Sequence, residues 1–247
     1  MKIIVCKDYD AVSKKGASIV KDAISMYRKP KLGLATGSTP EGLYRELIAM
    51  NQSGELNFEH AETVNLDEYV GIDSSNEQSY HYYMYENLFN HINIRPEHIH
   101  IPLAEGDRLD KAVAHYNAEL DYVGRRDIQI LGMGHNGHIA FIEPSDKLSL
   151  RTCVVELTPE TIAANSRFFA SEDDVPRQAI TMGIKDILNT DTLLIMATGE
   201  GKAPTVKRLI EGKRLNTHFP ASMLHLHTNA ILLVDEAAYS LVEDVHE

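Results

Sequence analysis

Leu32-Gly33-Leu34-Ala35-Thr36-Gly37-Ser38-Thr39-Pro40 is the stretch on which the fold turns. Residues 32–34 form a short β-rich run. An amphipathic pattern runs over 40–50, and Thr39-Pro40 reads as its start because proline suits the first helical position. Between the two, Gly37 permits a tight turn, so Ser38, Thr39 and the unpaired N–H groups of the helix can point outward together. That arrangement suits an anion. An ordinary Ser/Thr-capped turn between strand and helix would use the same residues. A Walker A loop is excluded, since no Gly-Lys-Ser/Thr follows at the required spacing.

The same alternation extends to both ends of the 247-residue chain. Runs at 3–6, 32–34, 63–65, 128–131, 193–196 and 231–234 read as strands, and several are apolar on both faces, as in a sheet covered on both sides. Helical patterns occupy 9–26, 40–50, 77–89, 110–123, 181–188 and 202–211. Strands alternating with helices predict a single-domain α/β fold. It is a doubly wound, mainly parallel, Rossmann-like sheet with helices on both faces, binding ligands beyond the carboxyl ends of its strands. No internal repeat, low-complexity run or Pro/Gly linker divides residues 1–247, so one domain is expected.

Apolar residues make up 43% and charged residues 24%, with a formal net charge of −12. A nucleic-acid partner, which asks for a basic face, is therefore not expected. An anionic substrate would need a local positive site against this global field. The two cysteines, Cys6 and Cys153, have no metal-ligand spacing and suggest a reducing compartment. The apolar run at the N-terminus is shorter than a signal peptide's core of roughly 7–15 residues. No segment approaches the ~18 apolar residues of a membrane span. The expectation is a cytoplasmic protein without a membrane partner.

Three further places carry chemistry. Asn65-Leu66-Asp67-Glu68-Tyr69 follows the 63–65 strand and offers adjacent carboxylates for acid–base work. Taken alone, they also read as the cap and first-turn acid of a helix. Gly132-Met133-Gly134-His135-Asn136-Gly137-His138-Ile139-Ala140-Phe141-Ile142-Glu143-Pro144 follows the 128–131 strand. Its glycines match a dinucleotide fingerprint, but Pro144 and the apolar 139–142 run do not make the long helix that fingerprint opens. The alternative is a pliable loop bringing His138 and Glu143 to a substrate, with histidine as proton carrier. Arg167 and Lys202 supply cations, and Lys202 opens a helix after the 193–196 strand, where it could meet a phosphate. Each also reads as a solvated surface charge. The pairs His98/His100 and His225/His227 put two imidazoles on one face of an extended segment. Neither has a carboxylate or third histidine at a recognisable spacing, and no metal is expected.

In this order and combination, the motifs resemble those of the glucosamine-6-phosphate deaminase (isomerase) family. The likeness runs through 34–40, 64–71, 79–83, 132–144, 163–169, 178–183 and 220–225, nearly the whole chain. The resemblance implies conversion of D-glucosamine 6-phosphate to D-fructose 6-phosphate and ammonia, in amino-sugar catabolism. It implies that Thr36, Gly37, Ser38 and Thr39 hold the phosphate, clamped by Arg167 and Lys202. His138, oriented by Glu143 and supported by Asn136, would open the sugar ring. Asp67 would move the C2 proton to C1. The open-chain substrate supplies its own electron sink, so no pyridoxal, metal or nicotinamide cofactor is implied.

Three departures stand out. Asn136 replaces an aspartate of well-studied members; an amide can hold His138 by hydrogen bonding but cannot stabilise its charged form equally. Ile142 and Ser145 stand where the family pattern has Asn and Gly. Some members have an allosteric sugar-phosphate site with basic residues just after this loop, and Cys153-Val154-Val155-Glu156 offers no cation there. Related readings are galactosamine-6-phosphate deamination, 6-phosphogluconolactone hydrolysis and a non-catalytic sugar-phosphate sensor. The lactonase needs no base at C2, and a sensor would not need Asp67, His138 and Glu143 together. Oligomeric state, a homo-oligomer included, is not readable from the sequence.

Overall fold

The computed structural model describes residues 1–104, 106 and 108–243, with Ala164 and Phe168 described by backbone alone. The chain opens with β1 (Lys2–Cys6) and α1 (Tyr9–Ile24), whose N-cap Asp8 accepts from Ala11 N at 2.9 Å. α1 buries Val12, Gly16, Ala17, Val20 and Ile24, a stripe at helical spacing. β2 (Lys31–Leu34), α2 (Glu41–Gln52) and β3 (Glu62–Asn65) follow. Next come β4 (Asp67–Tyr69), α3 (Tyr80–Asn87), β5 (Ile99–His100) and α4 (Leu109–Val123). The second half contains β6 (Arg126–Leu131), β7 (Cys153–Glu156), α5 (Pro159–Asn165), β8 (Gln178–Thr181) and α6 (Ile184–Leu188). It ends with β9 (Thr190–Ala197), α7 (Ala203–Glu211), β10 (Ala230–Asp235) and α8 (Glu236–Tyr239).

Seven strands form a wholly parallel sheet in the order β1-β10-β9-β6-β2-β3-β5. All six residues of β6 are buried, as covering on both faces requires. From β2 the chain builds outward through β3 to β5. From β6 it builds the other way through β9 to β10, which pairs with the edge strand β1 that opened the chain. The β2/β6 junction is therefore the point where strand order reverses and a crevice opens beyond the carboxyl ends. The doubly wound α/β reading is what the molecule adopts.

The sequence reading omitted a second sheet. β4, β8 and β7 pair antiparallel in the order β4-β8-β7, with Asp67 opposite Thr181 and Cys153 opposite Thr181 on the other side. The 181–188 helix expected from periodicity is consequently cut. Thr181 ends a strand, and α6 starts only at Ile184, with Gly183 as cap. Likewise α3 starts at Tyr80 rather than near 77, because Ser79 caps it by accepting from Tyr82 N at 2.9 Å. A small apolar cluster of Tyr69, Ile72, Phe141, Leu157, Ile162, Val175 and Ala179 lies outside the main core and joins β4 and β8 to α5. No helix among the described residues is long and apolar enough to cross a membrane.

Candidate active site

A cavity of about 520 Å³ lies beyond the carboxyl ends of β2, β3, β6 and β9. Thr36, Gly37, Ser38, Thr39, Asp67, His138, Arg167 and Lys202 all line it. Asn136 and Glu143 do not; they stand behind His138.

The 35–39 loop is braced by three tyrosines. Tyr44 donates to the Ala35 carbonyl at 2.5 Å, Tyr83 to the Gly37 carbonyl at 2.7 Å, and Tyr9 to the Ser38 carbonyl at 2.9 Å. Gly37 has φ +87°, where a side chain would be strained. The Ala35 N–H donates to the Tyr44 hydroxyl at 3.2 Å, which leaves the N–H groups of 36–39 and the Ser38 and Thr39 hydroxyls to meet an anion. Lys202 is positioned by donating to the Met133 carbonyl at 2.6 Å. Burial, then the Arg167 charge, lowers its ammonium below the ordinary lysine value. Two cations near enough to feel each other invite a multiply charged anion between them.

Asp67 begins β4, one residue beyond β3, and is 6% exposed. Burial first, and the Glu68 charge second, push its carboxyl up to about 8. Such a group can accept a proton near neutral pH. Glu68 faces the other way. Its Oε1 accepts from Tyr69 N at 2.8 Å and Tyr80 N at 3.0 Å, and its Oε2 from His81 N at 2.8 Å. The helix-capping reading of the Asp-Glu pair thus describes Glu68, although the helix it serves begins twelve residues later.

His138 Nδ1 lies 3.5 Å from Glu143 Oε2, close enough for an ion pair but without hydrogen-bond alignment. Asn136 Nδ2 donates to that same oxygen at 2.8 Å, and Asn136 Oδ1 accepts from the His138 backbone N–H at 3.0 Å. Asn136 therefore holds His138 by hydrogen bonding, through its backbone N–H and through Glu143. The Thr161 hydroxyl donates to Glu143 Oε1, and Thr158 is 3.4 Å from it. Burial works to raise the Glu143 carboxyl; the His138 contact, Thr161 and Asn136 outweigh it and hold it at about 2. Glu143 is thus a fixed anion behind the imidazole. The fingerprint glycines have a local purpose: a Cβ on Gly134 would stand 2.2 Å from the His138 ring.

The sequence profile described as "Glucosamine-6-phosphate isomerases/6-phosphogluconolactonase" matches residues 8–233. A glucosamine-6-phosphate deaminase of Thermoanaerobacter pseudethanolicus is 46% identical over 244 residues, covering 99% of this chain and 96% of the relative. One of Clostridioides difficile is 47% identical over 240 residues, covering 97% and 96%.

The chain belongs to the glucosamine-6-phosphate isomerase/6-phosphogluconolactonase family.

A solved structure described as a monomeric glucosamine-6-phosphate deaminase agrees with this fold at a TM-score of 0.94 and 44% identity, covering 98% of this chain and 100% of that one. A 6-phosphogluconolactonase from Trypanosoma brucei agrees at 0.77 with 18% identity and 98% coverage of each chain, a likeness of fold alone.

Within this family member, the departures now have places. Ile142 N donates to the Ile139 carbonyl at 2.9 Å, closing a turn in which Ala140 takes φ +51° and lines the cavity. Ser145 Oγ donates to the Lys147 carbonyl at 2.6 Å. Residues 153–156 are strand β7, and Glu156 accepts from Gln178 Nε2 at 2.5 Å. The cation just before it, Arg151, is bound to Asp121 and Asp186, each at 2.9 Å.

Several lining residues escaped the sequence reading. Tyr69, Tyr80, Phe141 and Phe169 form an aromatic wall with ring centroids 4.9 to 5.9 Å apart. All four fell inside the motif segments, a signal that could have found them. Glu41, an acid in the first turn of α2, also lines the cavity. Nothing local marked Tyr9, which reaches Ser38 across 29 residues.

Three of these four histidines have structural partners. His100 stands between Glu62, 2.9 Å from Nε2, and Glu119, 3.2 Å from Nδ1, so carboxylates do surround it, from β3 and α4. His225 and His227 meet backbone carbonyls of Leu209 and Thr190. No cluster of three or more His, Cys, Asp or Glu among the described residues is arranged to hold a metal.

Proposed function

We propose that this protein isomerises and deaminates D-glucosamine 6-phosphate to D-fructose 6-phosphate and ammonia. The observation that carries this reading is one cavity lined by Asp67, buried and raised to about 8, by His138 with Glu143 behind it, and by the Lys202, Arg167 and 35–39 anion cradle. The close relatives that carry the deaminase name support it.

The phosphate rests on the 35–39 loop between Arg167 and Lys202, which fixes the sugar's far end. His138, with Glu143 behind it, moves a proton between the anomeric hydroxyl and the ring oxygen, and the ring opens to the aldehyde. Asp67 removes the C2 proton, giving an enolamine, and returns it to C1. C2 is then an imine; it adds water and expels ammonia, leaving the 2-ketone. The C1 aldehyde accepts the electrons released at C2, and the amine's lone pair returns them to C1 as the imine forms, so the substrate is its own electron sink. A lactonase would have no use for a raised-pKa carboxylate at C2. Cys6 and Cys153 are both unpaired, which fits a reducing cytoplasm.

The test is incubation with glucosamine 6-phosphate and assay of ammonia and fructose 6-phosphate in equal amounts. Galactosamine 6-phosphate, run in parallel, reads the epimer preference. Neither product from either sugar would overturn the reading.

A further inference from the structure

We propose that Glu68 is a positioning residue for Asp67: its carboxylate, held by three backbone N–H groups, locks β4 to the first turn of α3 and sets the charge that Asp67 feels. This deepens the reading above and rests on Asp67 being the base at C2.

Side chains alternate along β4, so Asp67 and Tyr69 share the cavity face while Glu68 points away from it. Glu68 is 2% exposed, and a carboxylate so buried needs partners for its charge. It has them in the N–H groups of Tyr69, Tyr80 and His81. The last two belong to the first turn of α3, whose N–H groups have no partner within the helix. Ser79 already serves Tyr82 N, so Glu68 completes the turn.

A cap alone could sit on α3's own flank, as Ser79 does. This acid is instead covalently next to Asp67. The tie therefore fixes two walls at once: Asp67 and Tyr69 from β4, and Tyr80 from α3. Tyr80 stacks on Phe141 with ring planes 6° apart and lies 4.9 Å from Tyr69. The other ionisable groups that face Asp67 are the phenols of Tyr69 on β4, Tyr80 on α3 and Tyr116 on α4. His138, Arg167 and Lys202 line the same cavity. Glu68 is the charged neighbour that adds to burial in raising Asp67. Its own carboxyl is raised to about 7 by burial, against the pull of the three N–H groups. As an anion it strengthens Asp67 as a base.

The experiment compares wild type, Glu68→Gln and Glu68→Asp in two readouts. The first is a carbon-13 NMR titration of the Asp67 carboxyl without substrate. The second is the pH profile of kcat/KM for ammonia release from glucosamine 6-phosphate. In Glu68→Gln, Asp67 should titrate about half a unit to one unit lower, since a like charge nearby disfavours ionisation and has been removed. The alkaline-rising limb of the profile should move by the same amount, with KM within about threefold of wild type, a split a purely structural loss would not give. Glu68→Asp keeps the charge on a shorter arm, so its Asp67 titration should stay nearer to wild type. If Glu68→Gln leaves the Asp67 titration in place, the proposal is overturned. If wild type releases no ammonia while the Asp67 titration still moves, the deaminase reading fails and the Glu68–Asp67 coupling stands.

Discussion

Asn136 donates its amide to Glu143 Oε2 across 2.8 Å, on the oxygen that stands 3.5 Å from His138 Nδ1. The amide therefore acts on the anion behind the histidine, not on the imidazole. Asn136→Asp would replace this donor with a carboxylate and place two like charges against each other. Such a pair tends to keep one shared proton. The turn survives, because either residue can accept from the His138 backbone N–H at the position of Oδ1. We expect turnover within about tenfold of wild type, or ~1.4 kcal/mol, and an apparent pKa of the Glu143 pair well above its present value of about 2. A pH–rate comparison of the two proteins checks this; a superimposable profile would show that Glu143 does not set the ring-opening step. His138→Gln should slow the cyclic substrate far more than Asn136→Asp does.

Asp67 couples rate and stability in opposite directions. Asp67→Asn should lower turnover roughly 10²–10⁴-fold, the worth of a positioned acid–base group, and abolish deuterium uptake at C2. Burial, with the Glu68 charge second, pushes its folded-state carboxyl up to about 8, far above the ordinary aspartate value of 3.8. The folded protein therefore keeps a proton that the unfolded chain gives up. That contribution to stability is complete below about 4 and is lost as pH rises through about 8. Asparagine cannot ionise, so the variant should be more stable than wild type at pH 8–9, on the order of 1–3 kcal/mol, with the gap closing near pH 4. Denaturation at both pH values reads the sign. Equal stability of the two proteins at pH 9 would mean that Asp67 carries no strained charge.

At the opposite end of the cavity, the Lys202 ammonium is aimed by the Met133 carbonyl at 2.6 Å. Charge-assisted bonds of this kind contribute about 1.5–3 kcal/mol each. Lys202→Ala and Arg167→Ala should each raise KM about tenfold to a hundredfold with less effect on kcat. Glucosamine without its phosphate should be a very poor substrate. Comparable use of both sugars by wild type would remove the phosphate cradle from the account.

What the sequence disclosed follows from how far each signal travels along the chain. Strand runs, helix periodicity and the turn at Gly37 are local, and they located the parallel sheet and its crevice. The small antiparallel sheet left no such trace. β4 is Asp67-Glu68-Tyr69, three residues whose acids face a cavity on one side and a helix end on the other, so they do not look like a strand. Its partner β8 is more than 100 residues away. That distance also hid the cut at Thr181, because residues 181–188 are periodic enough for a helix until β4 and β7 claim the first of them. The candidate site was legible where side chains follow a strand end directly, as at Asp67, His138 and Lys202. Its bracing was not, since Tyr9, Tyr83 and the Thr158–Thr161 pair come from three separate helices and meet the site only through folding. The same is true of the carboxylates around His100.

His100 makes the last prediction. Both of its ring nitrogens face carboxylate oxygens, Nε2 at 2.9 Å from Glu62 and Nδ1 at 3.2 Å from Glu119. An imidazolium can donate to both, whereas the neutral ring can donate to one and must point a lone pair at the other. The Glu119 contact, with Glu62 helping and burial opposing, raises His100 above the ordinary histidine value. The other groups at hand are His115, 3.6 Å from Glu119 on α4, and the Tyr122 ring, 6.4 Å from the imidazole. With the folded value above the unfolded one of about 6.5, the contribution is complete below that pH and fades as pH rises through the folded value. The contacts join β3, β5 and α4 at the sheet edge, away from the cavity. His100→Gln should therefore cost about 1–2 kcal/mol at pH 5.5, much less at pH 9, and leave kcat unchanged. Urea denaturation at the two pH values, with an NMR titration of His100 Cε1–H, tests it. A stability loss that stays constant from pH 5.5 to 9 would assign His100 to packing rather than to charge.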